Sequence, residues 1–415
     1  MNAVFVVLGG GQAGVQAADS LRALDPHSLI TVIDDELHHP YQRPPLSKAL
    51  WTGDIAKAAL PLRSTEFFRE RGIRLLSGAR ACRIHRDART VELSDGTVVP
   101  YDALVIATGA RARLIRLPGA DLPGVHQLRT LTDGLALQEE LRTAKSITTI
   151  GAGFIGLEVA ASALQHGIES TVFEMQDRIL GRAVTPQMSE WLARKHRSDG
   201  MDLRLSTPLE RIEAGNDGRV SAVITAKGER IQTEVVVAGV GALPNSELAE
   251  DAGLHVDDGI VVDEHLRTKD VAIWAVGDCV RFPSHFTGSP SRLESIQNAT
   301  DQGKTAAKNI VAVLRGESPE QYVAVPWFWS NQGRERLQIA GVGGSGADSV
   351  VVREYGDGKF SVFVYESEKL TVVESVNAPA DHIAARRILA TGGHLDPVLA
   401  ADPAFPLKTV LEPTA

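Results

Sequence analysis

Apolar residues fall in short runs along the chain, and the period of the runs changes from one stretch to the next. Val4 to Leu8 is continuously apolar and ends in a glycine cluster, after which Ala, Leu and Val recur at helical spacing. The same phrase returns further on. SITTIGAGFIG, from Ser146, repeats VFVVLGGGQAG, from Val4, as strand, glycine turn and helix. Each helix is followed by a second strand, Leu29 to Ile33 in the first copy and Ser170 to Phe173 in the second. Both of these strands stop at acids, Asp34 with Asp35 and Glu174. Shorter β-rich stretches come between and after the copies. Thr90 to Pro100 turns at Asp95-Gly96, Ala103 to Ala107 ends in Thr108-Gly109, and Glu234 to Ala238 ends in Gly239. From about Tyr322 the texture becomes aromatic and β-rich (VPWFWSNQG, SVVVREY, KFSVFVYE), then helical over Asp381 to Ala390. The pattern predicts two α/β units of strand, glycine turn and helix, with a third domain beginning near Val323.

The glycine spacing carries the first chemistry. In Gly9, Gly11 and Gly14 the first glycine permits a sharp turn, the second lets backbone approach a pyrophosphate, and the third lets helix and strand pack closely. The helix start then offers free N–H groups and the positive end of its dipole to the phosphates. Gly151, Gly153 and Gly156 repeat the arrangement. One such motif is weak evidence, whereas two in register are strong. The acids add a second test, since a carboxylate at the end of the second strand accepts hydrogen bonds from a ribose. Asp35 lies 24 residues after Gly11 and Glu174 lies 21 after Gly153. Glu174 also favours NADH over NADPH, because a carboxylate there repels a 2′-phosphate and no arginine immediately follows it; Arg178 is the nearest. Two cradles in one chain point to two dinucleotides, a flavin and a nicotinamide.

Composition narrows the partners. With 43% hydrophobic and 23% charged residues over 415 positions, the chain has the balance of a folded protein of two or three cores. A formal charge of −9 argues against nucleic acid as a partner. The first apolar run is too short for a leader or a membrane span, so the expected location is cytoplasmic, with no membrane partner. The two cysteines, Cys82 and Cys279, have 196 residues between them and form no CxxC, which disfavours a dithiol centre; they read as isolated small hydrophobes. The twelve histidines contain no HxxxH, and none is assigned to metal. His38-His39 reads as part of a surface loop.

Across nearly its whole length the sequence resembles the FAD- and NADH-dependent ferredoxin reductases of bacterial cytochrome P450 and ring-hydroxylating dioxygenase systems. The resemblance rests on both glycine motifs and on PYQRPPLSK (Pro40 to Lys48), LVIATGA (Leu104 to Ala110), LRTLTD (Leu128 to Asp133), AGVGALPN (Ala238 to Asn245), IWAVGDC (Ile273 to Cys279), LESIQNATDQ (Leu293 to Gln302) and PWFWSNQG (Pro326 to Gly333). It implies an α/β fold with two Rossmann-like dinucleotide-binding domains in a glutathione reductase-like arrangement, plus a C-terminal α+β domain. The implied segments are 1–112 with 245–322 for FAD, 113–244 for NAD, and 323–415 for the C-terminal domain.

The resemblance also assigns roles. FAD-lining positions are Asp35, Arg43, Lys48, Ala81, Arg129, Asp278 and Ile296, with Asp278 at the ribityl and pyrophosphate region. Ala13, Thr108, Gly109, Ile155, Gly241 and Gly277 complete the implied cofactor-binding set around the two motifs. Lys48 and Glu158 are implied to form a pair beside the flavin where the nicotinamide stacks, and Trp329 to shield the flavin where electrons leave. The implied partner is a small [2Fe–2S] ferredoxin. Such proteins are acidic, so docking is expected on a local basic face with Lys304, Arg334, Arg336 and Lys408 as candidates. Two other readings share the architecture. A disulfide, peroxide or oxygen reductase needs a redox cysteine near the first helix end or within Tyr41 to Lys48, where this chain has Pro44-Pro45-Leu46-Ser47-Lys48 and no thiol. A flavin-holding signalling protein related to the apoptosis-inducing factor would favour a basic balance that this chain lacks.

Overall fold

A computed structural model describes residues 2–48, 60–343, 347–392 and 394–411; the last positions of the third expected segment, 412–415, lie outside it. The described chain divides into two compact units. One holds residues up to 42, 60–111 and 243–326, and the other holds 43–48, 112–242 and 327–411.

In the first unit a five-stranded parallel sheet runs in the order Ile273–Ala275, Ala103–Ile106, Val4–Leu8, Leu29–Asp34, Ile73–Ser77. Val4–Leu8 lies in the middle, and Phe5, Val6 and Val7 are fully buried. A strand covered on both faces must be apolar at every position, which is why its sequence does not alternate. Helix Gln12–Leu24 leaves this strand through the glycine turn and packs along helix Ile296–Leu314. The turn expected at Asp95-Gly96 joins Thr90–Leu93 to Val98–Pro100 in a separate antiparallel sheet whose edge strand is Ala81–His85.

The second unit repeats the plan. Its parallel sheet runs Asp202–Arg204, Glu169–Phe173, Ser146–Ile150, Val235–Ala238, Val125–Gln127, with helix Phe154–Gln165 following the second glycine turn. The aromatic segment forms a five-stranded antiparallel sheet in the order Trp327–Gln332, Glu335–Gly341, Lys369–Val376, Lys359–Glu366, Ser349–Gly356. Successive residues of a strand point to opposite faces. Phe363 and Tyr365 therefore join Ala385 and Ile388 of helix Pro379–Ala390 on one face, while Val362 and Val364 join Met188 and Leu192 of helix Pro186–Ser198 on the other. Trp191 and Phe360 meet with ring centres 4.9 Å apart. The sheet after Val323 thus shares a hydrophobic cluster with the residues that precede it in this unit. The helix that follows this sheet starts at Pro379, ahead of the expected Asp381, because proline at the first helical position forfeits no hydrogen bond. Among the described residues no helix is long and apolar enough to cross a membrane.

Candidate active site

The first glycine turn is shaped by what a side chain would strike. Gly9 has φ +111°, and a Cβ there would lie 2.2 Å from the Ala107 carbonyl oxygen. A Cβ on Gly14 would lie 2.0 Å from the Gly9 carbonyl oxygen. These two glycines are required by close packing. Gly11 differs: a Cβ there meets nothing within 4 Å. Gly11 is the N-cap of helix Gln12–Leu24, carries no capping side chain, and has no acid in the turn after it. The open space therefore adjoins unpaired N–H groups at a positive helix end, the environment a pyrophosphate takes.

Two other predicted FAD positions, Gly277 and Thr108, border this turn. Gly277 has φ +84°, and a Cβ there would lie 3.0 Å from the Ala13 methyl. Its N–H donates to Gln302 Oε1 at 2.8 Å, and half-buried Asp278 follows in a one-turn 3-10 segment. Thr108 and Gly109 continue from Ala107 and are tied to Asn245: Thr108 Oγ1 donates to the Asn245 carbonyl at 2.6 Å, and Asn245 N donates to the Gly109 carbonyl at 2.9 Å. Ala81 opens the edge strand of the antiparallel sheet, and Ile296 opens the helix capped by Ser295. Both are half-buried.

The second turn has the same steric signature. A Cβ on Gly151 would lie 2.6 Å from the Gly239 carbonyl oxygen, and one on Gly156 2.1 Å from that of Gly151. At Gly153 the nearest atom would be 3.8 Å away, and Gly153 is again an N-cap without a capping side chain. Ile155, in the first helical turn, is 42% exposed, and Gly241 is exposed beyond strand Val235–Ala238. Glu174 is fixed at the strand end, where Oε2 accepts from Ala152 N at 2.8 Å and Oε1 from Gln176 N at 2.9 Å. Arg178 donates to the carbonyls of Val184 and Gly181, so its guanidinium is committed to its own loop.

Strand register relates the two acids. Leu8 pairs with Ile33 and Ile150 with Phe173, which puts Asp34 in the frame of Glu174 and Asp35 one position beyond. A Cβ on Gly10 would sit 2.4 Å from Asp34 Oδ2, so Asp34 borders the first turn as Glu174 borders the second. Asp35 is exposed.

The second unit also contains a buried carboxylate with several donors. Glu158, on helix Phe154–Gln165, is 3% exposed. Lys48 Nζ lies 2.9 Å from its Oε1, and the lysine side chain keeps 18% exposure. Ser47 Oγ donates to Oε2 at 2.5 Å, Ser330 Oγ donates to Oε1, and Asn331 N donates to Oε1 at 3.3 Å. Ser47 and Lys48 are placed by the short 3-10 turn Pro44–Ser47, whose prolines fix φ. Nearby in sequence, Arg43 Nη1 donates to the Arg129 carbonyl at 2.8 Å. Arg129 precedes helix Leu131–Leu141, which begins with a Thr130/Asp133 capping box.

On strand Trp327–Gln332 the side chains alternate. Trp327 and Trp329 share one face with ring centres 5.7 Å apart, and the Arg386 guanidinium lies 4.2 Å from the Trp327 ring centre. Ser330 and Gln332 take the other face and are buried. The sequence reading missed Ser47, Ser330, Gln332 and His196 as site residues. Polar residues at alternate positions just after a run of three aromatics were the available signal for Ser330 and Gln332, whereas nothing local marks His196.

Cys82, expected as an isolated small hydrophobe, is an exposed thiol on the edge strand. Cys279 is fully buried, its thiol donates to the Val276 carbonyl at 3.4 Å, and burial pushes its pKa up, which suppresses the thiolate. The pair His38-His39 is half-buried and not simply surface: His39 Nε2 is 3.0 Å from the Arg63 carbonyl. Lys304, Arg334, Arg336 and Lys408 are all exposed. Among the described residues no cluster of His, Cys, Asp or Glu could hold a metal ion.

Two family models match the chain: pyridine nucleotide-disulphide oxidoreductase over residues 4–303, and reductase C-terminal over residues 327–411. The chain belongs to the pyridine nucleotide-disulphide oxidoreductase family and carries the reductase C-terminal domain. It is 48% identical over 408 residues to a rhodocoxin reductase of Rhodococcus erythropolis, covering 98% of this chain and 94% of the relative. The structure of a ferredoxin reductase for the CYP199A2 system of Rhodopseudomonas palustris superposes with TM-score 0.94 at 40% identity, covering 99% of this chain and 100% of that one. A covalent putidaredoxin reductase–putidaredoxin complex matches with TM-score 0.93 at 36% identity, covering 99% of this chain and 98% of that one.

Proposed function

We propose that this oxidoreductase takes a hydride from NADH onto FAD and passes electrons singly to a [2Fe–2S] ferredoxin that feeds a cytochrome P450 or an aromatic-ring dioxygenase. The observation that carries the reading is the duplicated cradle, in which packing imposes the outer glycines and the middle glycine stays open before a bare helix N-terminus. The relatives supply the acceptor class, since their names pair them with rhodocoxin, putidaredoxin and a P450 system. We assign FAD to segments 1–112 and 245–322, NADH to 113–244, and the C-terminal role to 323–415.

When bound, FAD accepts the nicotinamide hydride and releases the electrons one at a time. The chain's part is to bind and orient. Gly9, Gly11, Ala13, Gly14, Gly277 and Asp278 would hold the FAD pyrophosphate and ribityl region, with Asp34 and Asp35 toward the ribose. Gly151, Gly153, Ile155, Gly156 and Gly241 would hold NADH, with Glu174 on its adenosine ribose. Glu174 disfavours NADPH, because its two N–H partners fix the carboxylate where a 2′-phosphate would sit and Arg178 is occupied elsewhere. Glu158 Oε2 accepts only from Ser47 among the described contacts, which leaves it a lone pair for the carboxamide N–H of NADH. Lys48, the one charged donor to Glu158 among the described residues, can donate to the carboxamide oxygen. Trp329 shields the ring system where electrons leave, and Lys304, Arg334, Arg336 and Lys408 supply basic docking contacts.

The disulfide-reductase reading lacks its thiol: residues 43–48 contain no cysteine, and Cys279 is buried as the neutral thiol. Reduction of a panel of purified [2Fe–2S] ferredoxins and of small disulfides, with NADH and NADPH side by side, tests the proposal. Turnover of a ferredoxin with NADH is expected; disulfide reduction without ferredoxin reduction contradicts it.

A further inference from the structure

The Glu158 carboxylate is the end of a buried chain of hydrogen bonds that reaches another helix. Ser330 Oγ donates to Glu158 Oε1, Gln332 Nε2 lies 2.7 Å from Ser330 Oγ, and Gln332 Oε1 lies 3.1 Å from His196 Nε2. The members are nearly sealed from water: Ser330 is 0% exposed, Gln332 1%, His196 2% and Glu158 3%. His196 belongs to helix Pro186–Ser198, Ser330 and Gln332 to strand Trp327–Gln332, and Glu158 to helix Phe154–Gln165.

The chemistry of each link sets the direction of the whole. A carboxylate only accepts, so Ser330 must give its single proton to Glu158. The Ser330 oxygen then has lone pairs alone to offer Gln332, which must present its NH2 group. That orientation turns the Gln332 carbonyl toward His196, which must donate through Nε2–H. Every donor points the same way, and the amide orientation and the histidine tautomer follow from the carboxylate at the end. Buried polar groups of this kind hold one arrangement because each alternative strands a donor or acceptor without water to replace its partner.

We infer that Ser330, Gln332 and His196 are positioning residues that fix the Glu158 carboxylate for NADH. The inference rests on the proposed role of Glu158 at the nicotinamide carboxamide. Strand Trp327–Gln332 thereby sets the geometry of a residue on the NADH helix, and the C-terminal domain takes part in the NADH half-reaction as well as in electron exit. The adjacent Ser47 and Lys48 grip the same carboxylate from the opposite chain segment, so the relay fixes which oxygen stays open.

The test uses the FAD-loaded full chain. Gln332→Leu removes both links at similar volume, and Ser330→Ala deletes one hydroxyl and is the variant to use if the first fails to fold. Rapid-mixing anaerobic reduction is expected to slow roughly 10-fold, with a weaker long-wavelength charge-transfer band between reduced flavin and NAD+. Of the next two results, a merely structural role would not produce the first, and the second checks the direction of the hydrogen bonds. In a Glu158→Gln background Gln332→Leu adds no further loss, because the relay acts only through that carboxylate. Nitrogen-15 spectra of the His196 ring show the Nε2–H tautomer in the parent protein and lose that preference in Gln332→Leu. Full hydride-transfer rates in Gln332→Leu and Ser330→Ala, with Glu158→Gln impaired, overturn the relay alone. Full rates in Glu158→Gln overturn the reading of Glu158 and the relay with it.

Discussion

Ser47 Oγ lies 2.5 Å from Glu158 Oε2 while Lys48 Nζ lies 2.9 Å from Oε1, so two consecutive residues of one short turn hold opposite oxygens of a buried carboxylate. Removing the carboxylate leaves Lys48 with partial solvent access, so the fold tolerates the change better than the chemistry does. Glu158→Ala is expected to lower the rate of NADH-dependent flavin reduction roughly 10- to 100-fold. Rapid-mixing absorbance at the flavin band measures it, and a rate equal to the parent's would remove Glu158 from the mechanism.

The steric contrast within the first turn separates folding from cofactor binding. At Gly11 a methyl meets no protein atom and φ is −76°, whereas at Gly14 it would sit 2.0 Å from a carbonyl oxygen. Gly11→Ala is expected to retain the apoprotein's melting temperature and lose FAD affinity about 10-fold or more, because the methyl occupies space a pyrophosphate needs. Gly14→Ala is expected to destabilise the fold itself by roughly 1–3 kcal/mol. Melting curves with and without added FAD distinguish the two, and identical behaviour of both variants would be evidence against the open-cradle reading.

The duplicated motif made this much visible beforehand, because glycine spacing and strand-end acids are local in sequence. The antiparallel sheet of residues 327–376 was legible as β-structure from its aromatic and β-branched runs. Its second buried face was not, since Val362 and Val364 need a partner helix, Pro186–Ser198, that lies far away in the chain. The same limit hid the donors to Glu158 and the histidine two links behind them. Ser47, Ser330 and His196 are ordinary residues until three separated segments bring them together. Asp34 and Asp35 are neighbours in sequence, and only the pairing of Leu8 with Ile33 shows which of them stands in the frame of Glu174.

Coenzyme choice is expected to follow Glu174. Replacing it with Gln removes the charge that repels a 2′-phosphate while keeping an acceptor for Ala152 N–H. The ratio of kcat/KM for NADH over NADPH should fall about 10-fold or more, mainly through gain with NADPH. An unchanged ratio would place discrimination elsewhere.

Glu374, 2% exposed on strand Lys369–Val376, accepts from Thr185 N at 2.8 Å and Thr185 Oγ1 at 2.6 Å at the start of helix Pro186–Ser198. Burial outweighs these two donors and pushes its pKa up to about 7 from 4.5. The folded protein then holds a proton that the unfolded chain has lost, so stability falls as pH rises from 4.5 to about 7. The loss is on the order of 3 kcal/mol at about 1.4 kcal/mol per unit. Glu374→Gln should flatten this slope in melting temperatures taken across that range, and an unaltered slope would assign it to other groups.

If the proposed basic contacts of Lys304, Arg334, Arg336 and Lys408 form, ferredoxin reduction weakens steeply with salt. Arg336→Glu should raise KM for ferredoxin about 10-fold at low ionic strength and reduce the salt dependence. Ferredoxin reduction that ignores salt would point to an apolar docking face.

Electron flow through one chain, from NADH by way of FAD to an iron–sulfur protein, can be followed directly. Anaerobic rapid mixing of the FAD-loaded protein with NADH, followed by an oxidised [2Fe–2S] ferredoxin, follows both half-reactions in one trace. The flavin band is expected to bleach, then to recover as two equivalents of ferredoxin are reduced. Protein that takes up no FAD, or a flavin band that NADH leaves unbleached, would contradict this route.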